Sequence, residues 1–194
     1  MSRVRLLAAI SLIVALAVAL VVVLVQQRSS DGPHRVASAA SESAQAANAP
    51  PPEPVAVPTP DNTGRDFDHI WREIRRFADW TYAHPEVGLR HLDLIYHPEC
   101  PCYANLRDDL SRLIRDGVHF EDAGTRVERV VVTSDLGEAA RIETRMSISP
   151  GRVINAQGAI VQSEEGVPAR DFAVNLELQS DGRWLARSVS SIEP

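Results

Sequence analysis

The sequence predicts an α+β protein: three N-terminal helices packed on a curved antiparallel sheet of five to six strands, a cone-shaped roll, preceded by one transmembrane helix. Three observations carry this prediction. Leu6 to Val25 is a long apolar run without charge. From Asp66 the apolar residues recur at the spacing of one helical face. After Gly117 the period falls to two, with turn residues between the runs.

The run LLAAISLIVALAVALVVVLV holds fourteen Leu, Ile or Val in twenty residues. At about 1.5 Å per residue such a helix covers roughly 30 Å, the thickness of a bilayer's hydrocarbon core. Arg3 and Arg5 precede the run, and the nearest cation after it is Arg28. The positive-inside tendency therefore expects residues 1–5 as a cytoplasmic tip, 6–25 as a single-pass anchor in the cell membrane, and the remainder extracytoplasmic. A cleaved signal peptide is the competing reading. It should carry a shorter apolar core beside a small-x-small site, whereas Ala37-Ser38-Ala39 lies well beyond the run.

Residues 26–65 read as a disordered linker, since they are rich in Ala, Ser and Pro and carry seven of the thirteen prolines. Such a stretch buries too little apolar surface to offset its ordering entropy. PPPEPVAVPTP, residues 50–60, favours polyproline II and local stiffness. The folded head is then expected over 66–194, about 130 residues, which suits one core.

Within the head, Phe67, Ile70, Trp71, Ile74, Phe77, Ala78 and Thr81 share one helical face, with Asp66 as cap. His84-Pro85 interrupts that helix. Pro85 starts a second and shorter one, expected to bury Leu89, Leu92, Ile95 and Tyr96 and to end at Pro98. A third runs from about Tyr103 with Leu106, Leu110, Leu113 and Ile114 inward, and Gly117 follows as its C-cap.

The strand runs begin at Val118 to Glu121 and Thr125 to Thr133. In Arg141 to Ile148, Ile142, Thr144, Met146 and Ile148 alternate with polar residues, so one face is wet. Val153-Ile154 and Ala159 to Val161 flank a hairpin turn, and 163–166 reads as a loop. Phe172 to Leu178 and Trp184 to Ile192 complete the sheet. Helices followed by an antiparallel meander place the helices on one sheet face.

This order resembles the nuclear-transport-factor-2-like cone, also called cystatin-like. More narrowly, Phe67 to Tyr82, the cysteines before the third helix, the hairpin at Val153 to Val161 and the closing Asp181-Gly182-Arg183-Trp184 resemble a family of membrane-anchored, exported domains from high-GC Gram-positive bacteria. In that family the paired cysteines have more residues between them, whereas here a single Pro101 separates Cys100 from Cys102.

Cys100 and Cys102 are the only cysteines, and nearby thiols outside the cytoplasm tend to oxidise. They are a disulfide candidate. One reading is a local staple between two helices, another a thiol-exchange centre, and free or intermolecular thiols stay open. His84, His91 and His97 lie near them without the i, i+4 spacing of zinc pairs, so no metal is expected. Related cones use Asp, Tyr or His in a pocket for proton transfer. The resemblance thus singles out Asp79, Tyr82, Asp93 and His119 as pocket candidates. Trp80 falls off the apolar stripe of the first helix and is the candidate for partner contact.

Net charge is −6, the twenty basic residues are all Arg, and no basic block appears, which argues against nucleic acid. No phosphate loop, nucleophile elbow or zinc-protease motif is present, and no cofactor is expected. The expected function is a membrane-anchored binding or assembly module of the bacterial envelope, in contact with an envelope protein partner and without catalysis. The alternatives are a proton-transfer enzyme of the isomerase kind and thiol exchange. An open pocket holding paired ionisable groups favours catalysis, and a filled interior removes it.

Overall fold

In the computed structural model, residues 54–192 are described, and they belong to a unit that starts at Pro54. The anchor at 6–25, the tip before it and the linker up to residue 53 lie outside the described residues. Among the described residues no helix is long and apolar enough to cross a membrane.

Helix α1, Phe67–Ala83, forms where the spacing requires it. The Asp66 carboxylate accepts the His69 amide (3.1 Å), one of the donors a helix start leaves free. All seven residues of the apolar stripe are buried. Pro85 cannot continue the ladder and instead opens a single turn, α2, Pro85–Gly88. The expected second helix stops there. A 3-10 turn, Leu92–Leu94, follows, burying Leu92, Ile95 and Tyr96 but leaving Leu89 half-buried.

Two contacts explain the break. At Gly88 the chain presses so closely on α1 that a Cβ there would lie 2.5 Å from the Thr81 Cβ. At Ile95 to His97 the backbone is drawn into sheet bonding: the Ala186 amide donates to Ile95 and the His97 amide to Ala186, both at 3.0 Å. Helix α3, Pro101–Asp116, begins at its proline and ends at Gly117, whose φ of 64° is the left-handed cap glycine adopts without penalty.

Among the described residues seven strands follow in two sheets, where one sheet of five to six was expected. The smaller sheet has the order β1-β4-β5, Val118–Glu121, Gly151–Asn155 and Ile160–Glu164. The larger has the order β2-β3-β6-β7, Thr125–Asp135, Ala139–Ile148, Val167–Leu178 and Trp184–Ser191. The orders correspond: β1 leads into β2, β3 into β4 and β5 into β6 through short corners. The smaller sheet thus continues the larger across a bend, strand by strand. At the corners a Cβ on Gly151 would lie 2.5 Å from Ala123 Cβ, and one on Gly166 would lie 2.6 Å from the Ile148 carbonyl, so the chain folds back where only glycine fits. The Ser149 amide donates to the Gly124 carbonyl and the Gly124 amide to Ser149 Oγ, each at 2.9 Å, locking the first corner to the second.

Helix α1 lies in the concavity. Ile70, Trp71 and Ile74 from α1 and Ile142, Val174 and Leu176 from the large sheet meet in the core, with Phe67 edge-on to Trp184 at 4.9 Å. The segment before α1 joins them. Asn62, placed by composition in the linker, is fully buried, and its Nδ2 donates to the carbonyls of Leu94 (2.9 Å) and Trp184 (2.8 Å). The Trp184 amide donates to Asn62 (2.8 Å), and the indole Nε1 donates to Gly64 (2.7 Å). Together with bridges from Thr63 to Arg183 and from Tyr96 to Ala186, this segment covers the outer edge of β7.

Gly88→Ala is expected to destabilise the fold by about 1–3 kcal/mol through overpacking against Thr81. Asn62→Ala is expected to cost about 2 kcal/mol by leaving two carbonyls without a donor. Denaturant unfolding followed by Trp fluorescence measures both, with Leu136→Ala at an 80 % exposed position as the silent control.

Candidate functional site

Between α1, α3 and the small sheet lies an open cavity of about 500 Å³. Three residues of α1 supply one polar wall, and Asp109, Arg112 and Asp116 of α3 and Glu164 of β5 add further charged groups. Arg75, Asp79 and Tyr82 stand at i, i+4 and i+7, hence on one face of the helix, one step round from the buried stripe. Leu113 of α3, Val118 and Phe120 of β1, Ile148 of β3 and Val153 of β4 supply the apolar walls.

The polar side chains are bonded to one another. Asp79 Oδ2 accepts the Thr125 amide (2.7 Å) and Oδ1 the Thr125 hydroxyl (2.8 Å), fastening α1 to the start of β2. Arg75 Nη2 is 3.6 Å from Asp79 Oδ1 and donates to Thr125 Oγ1 (2.8 Å), while Nη1 donates to the Tyr96 hydroxyl (3.2 Å). The side chains of Arg75 and Asp79 are only 19 % and 23 % exposed, so water screens this pair less than a surface pair. On the other side the Tyr82 hydroxyl donates to Asp109 Oδ2 (3.3 Å), and Asp109 also accepts from Arg112 (3.0 Å). Burial, followed by the nearby Asp109 carboxylate, pushes the Tyr82 phenol well above its ordinary value. Tyr82 therefore remains a neutral donor. Its ring meets Phe120 edge-on at 5.6 Å across the cavity wall.

Of the residues singled out by the sequence, Asp79 and Tyr82 share this cavity. His119 lies instead in a separate cleft of about 360 Å³ beside His84, where burial first and His119 second push His84 below its usual range. Asp93 is exposed on the 3-10 turn. Trp80 is half-buried beside Val57 and Pro58, its ring tilted against Phe77 at 5.3 Å and His84 at 5.1 Å. The sulfurs of Cys100 and Cys102 are paired, with Cα atoms 5.0 Å apart at the start of α3. Cys100 is 1 % exposed. Among the described residues no three His, Cys, Asp or Glu side chains gather as a metal site needs.

Sequence reasoning passed over Arg75, Tyr96, Asp109 and Thr125. The first had a local signal, four residues before Asp79 on the same helix. Thr125 had none, because its role comes from a strand far along the chain.

No protein-family model and no curated protein matches this chain. Solved structures do resemble it. The intermembrane space region of the chloroplast protein ARC6 is 11 % identical, with a TM-score of 0.49, over 67 % of this chain and 96 % of that one. Aln2 from a Streptomyces species is 12 % identical, with a TM-score of 0.43, over 66 % of this chain and 90 % of that one. A nuclear transport factor 2-like superfamily protein from Salmonella enterica is 11 % identical, with a TM-score of 0.39, over 64 % of this chain and 88 % of that one. Such identities concern the fold alone. What the structure itself shows is an α+β fold with helices packed on curved antiparallel sheet, as the order of elements predicted.

Because folding raises the Tyr82 pKa, its contribution to stability is complete below the unfolded value of about 10 and is lost as pH rises through the folded value. Ultraviolet titration should show a tyrosine step well above the ordinary phenol range, appearing only as the protein unfolds. Tyr82→Phe should abolish that late step.

Proposed function

We propose that this chain is a membrane-anchored, extracytoplasmic binding module of the cell envelope, whose cavity takes a small ligand with an apolar body and performs no chemistry on it. One observation carries the reading: Arg75, Asp79, Tyr82, Asp109 and Arg112 on the cavity wall are engaged with one another or with Thr125, while five apolar side chains line the space beside them. Both Asp79 oxygens already accept hydrogen bonds from Thr125, and Tyr82 donates to Asp109. A general base needs a lone pair directed at a substrate proton. Here the carboxylate acts as a fastening between α1 and β2.

A second reading keeps a specific observation in its favour. The interior is not filled, and Asp79 and Tyr82 do stand in one cavity, as a proton-transfer enzyme of the isomerase kind requires. Thiol exchange has weaker support, since Cys100 is buried and an attacking thiolate could reach the bond only through the half-buried Cys102. The uncharged Leu6 to Val25 run and the arginines ahead of it support the tether.

The full chain in detergent should take up neutral N-phenyl-1-naphthylamine with a rise in fluorescence, and the cavity-filling Leu113→Trp should abolish the uptake. In heavy water it should leave the hydrogens beside the carbonyl of a small cyclic ketone unexchanged. Exchange that disappears in Asp79→Asn would establish the enzyme reading instead.

Membranes washed with alkaline carbonate should retain the chain, and removal of residues 6–25 should release it. Recovery of the intact chain in the cytoplasmic fraction would refute the tether.

A further inference from the structure

The charges around the cavity do not balance, and that imbalance identifies the kind of ligand. Two arginines and four carboxylates line it: Arg75 and Arg112 against Asp79, Asp109, Asp116 and Glu164. Arg75 is taken up by Asp79, Thr125 and Tyr96, and Arg112 by Asp109. Asp116, exposed at the cavity rim, and Glu164, half-buried and accepting only from the Gln162 amide, have no cationic partner among the described residues. They stand on different walls, Asp116 at the last turn of α3 and Glu164 at the end of β5. The C-terminus of a helix carries partial negative charge, and α3 ends at the residue that lines the cavity. Two aromatic rings, Tyr82 and Phe120, line the same space, and a ring face attracts a cation. The raised phenol of Tyr82 keeps that ring neutral.

We infer that the ligand is an amphiphilic monocation, an amine or quaternary ammonium with an apolar body. The body rests on Leu113, Val118, Phe120, Ile148 and Val153, and the positive head sits between Asp116 and Glu164 against the aromatic rings. An anionic ligand of the same shape meets two uncompensated carboxylates and is excluded. This inference rests on the binding reading above and adds the charge of what is bound.

The test compares three probes of one shape on the full chain: benzyltrimethylammonium, its neutral isostere neopentylbenzene, and phenylacetate. Each is read by displacement of bound N-phenyl-1-naphthylamine. The cation should bind about tenfold more tightly than the isostere, given one partly screened ion pair and one cation–π contact, and phenylacetate should bind most weakly. Asp116→Asn combined with Glu164→Gln should bring cation and isostere to parity, leave the isostere's affinity unchanged and preserve the melting temperature. High salt should narrow the same gap. Equal binding of cation and isostere to the unaltered chain overturns the charge inference and leaves the binding reading intact. Failure of the naphthylamine itself to bind overturns both.

Discussion

The structure depends on the burial of one helical stripe in the concavity of one sheet. Ile70, Trp71 and Ile74 have no exposed surface, and each large apolar side chain so buried contributes about 1.5–3 kcal/mol. Among the described residues no second helix could replace α1, because α2 is a single turn and α3 buries only Leu106 and Leu110. The same packing fixes the rotation of α1 about its axis. Arg75, Asp79 and Tyr82 are therefore presented to the cavity by the residues beneath them, and the geometry of the site is inherited from the core. The Arg72 guanidinium, donating to the Val127 carbonyl at 2.6 Å, and Asp79, holding Thr125, add polar ties along the same helix–strand contact.

The bend in the sheet is what turns a covered face into a cavity. A flat sheet under α1 and α3 would close on them, whereas the corners at Asp122 to Gly124 and at Ser149 to Gly151 swing β1, β4 and β5 away. Outside, the large sheet is wet. Asp171 receives Arg145 (2.8 Å) and Arg129 (3.4 Å), and Arg187 bridges Glu177 (2.8 Å) and Glu99 (2.6 Å). Exposed pairs of this kind contribute little to stability, but they leave that face charged and compensated.

Much of this was legible in residue order, and the reason differs from element to element. The α1 stripe, its Asp66 cap, the proline break and the Gly117 cap are local features, decided within a turn of helix. Alternation in Arg141 to Ile148 likewise revealed a one-sided strand. The second helix failed because Ile95 and Tyr96 carry apolar side chains compatible with a helix while their backbone is taken by β7, a partner distant in the chain. The division into two sheets escaped for a similar reason: Gly151 and Gly166 read as ordinary turn residues until the neighbouring strand is seen pressing on them. Asn62 was hidden by its surroundings, a polar residue at the end of a Pro-rich stretch whose importance comes from carbonyls far along the chain. In the candidate site, Asp79 and Tyr82 were readable from their helix. Thr125 and Asp109 were not, since nothing local distinguishes them.

The fastening of residues 62–64 along β7 has a mechanical consequence. A chain entering the domain at Pro54 does not lead straight into α1, because Asn62 and Gly64 are clipped to Trp184 first. Tension arriving from that direction is borne by several hydrogen bonds loaded together, next to an indole wedged against Phe67. The helix that shapes the cavity is thereby shielded from any pull applied at Pro54, and the pocket can hold its form under such a load.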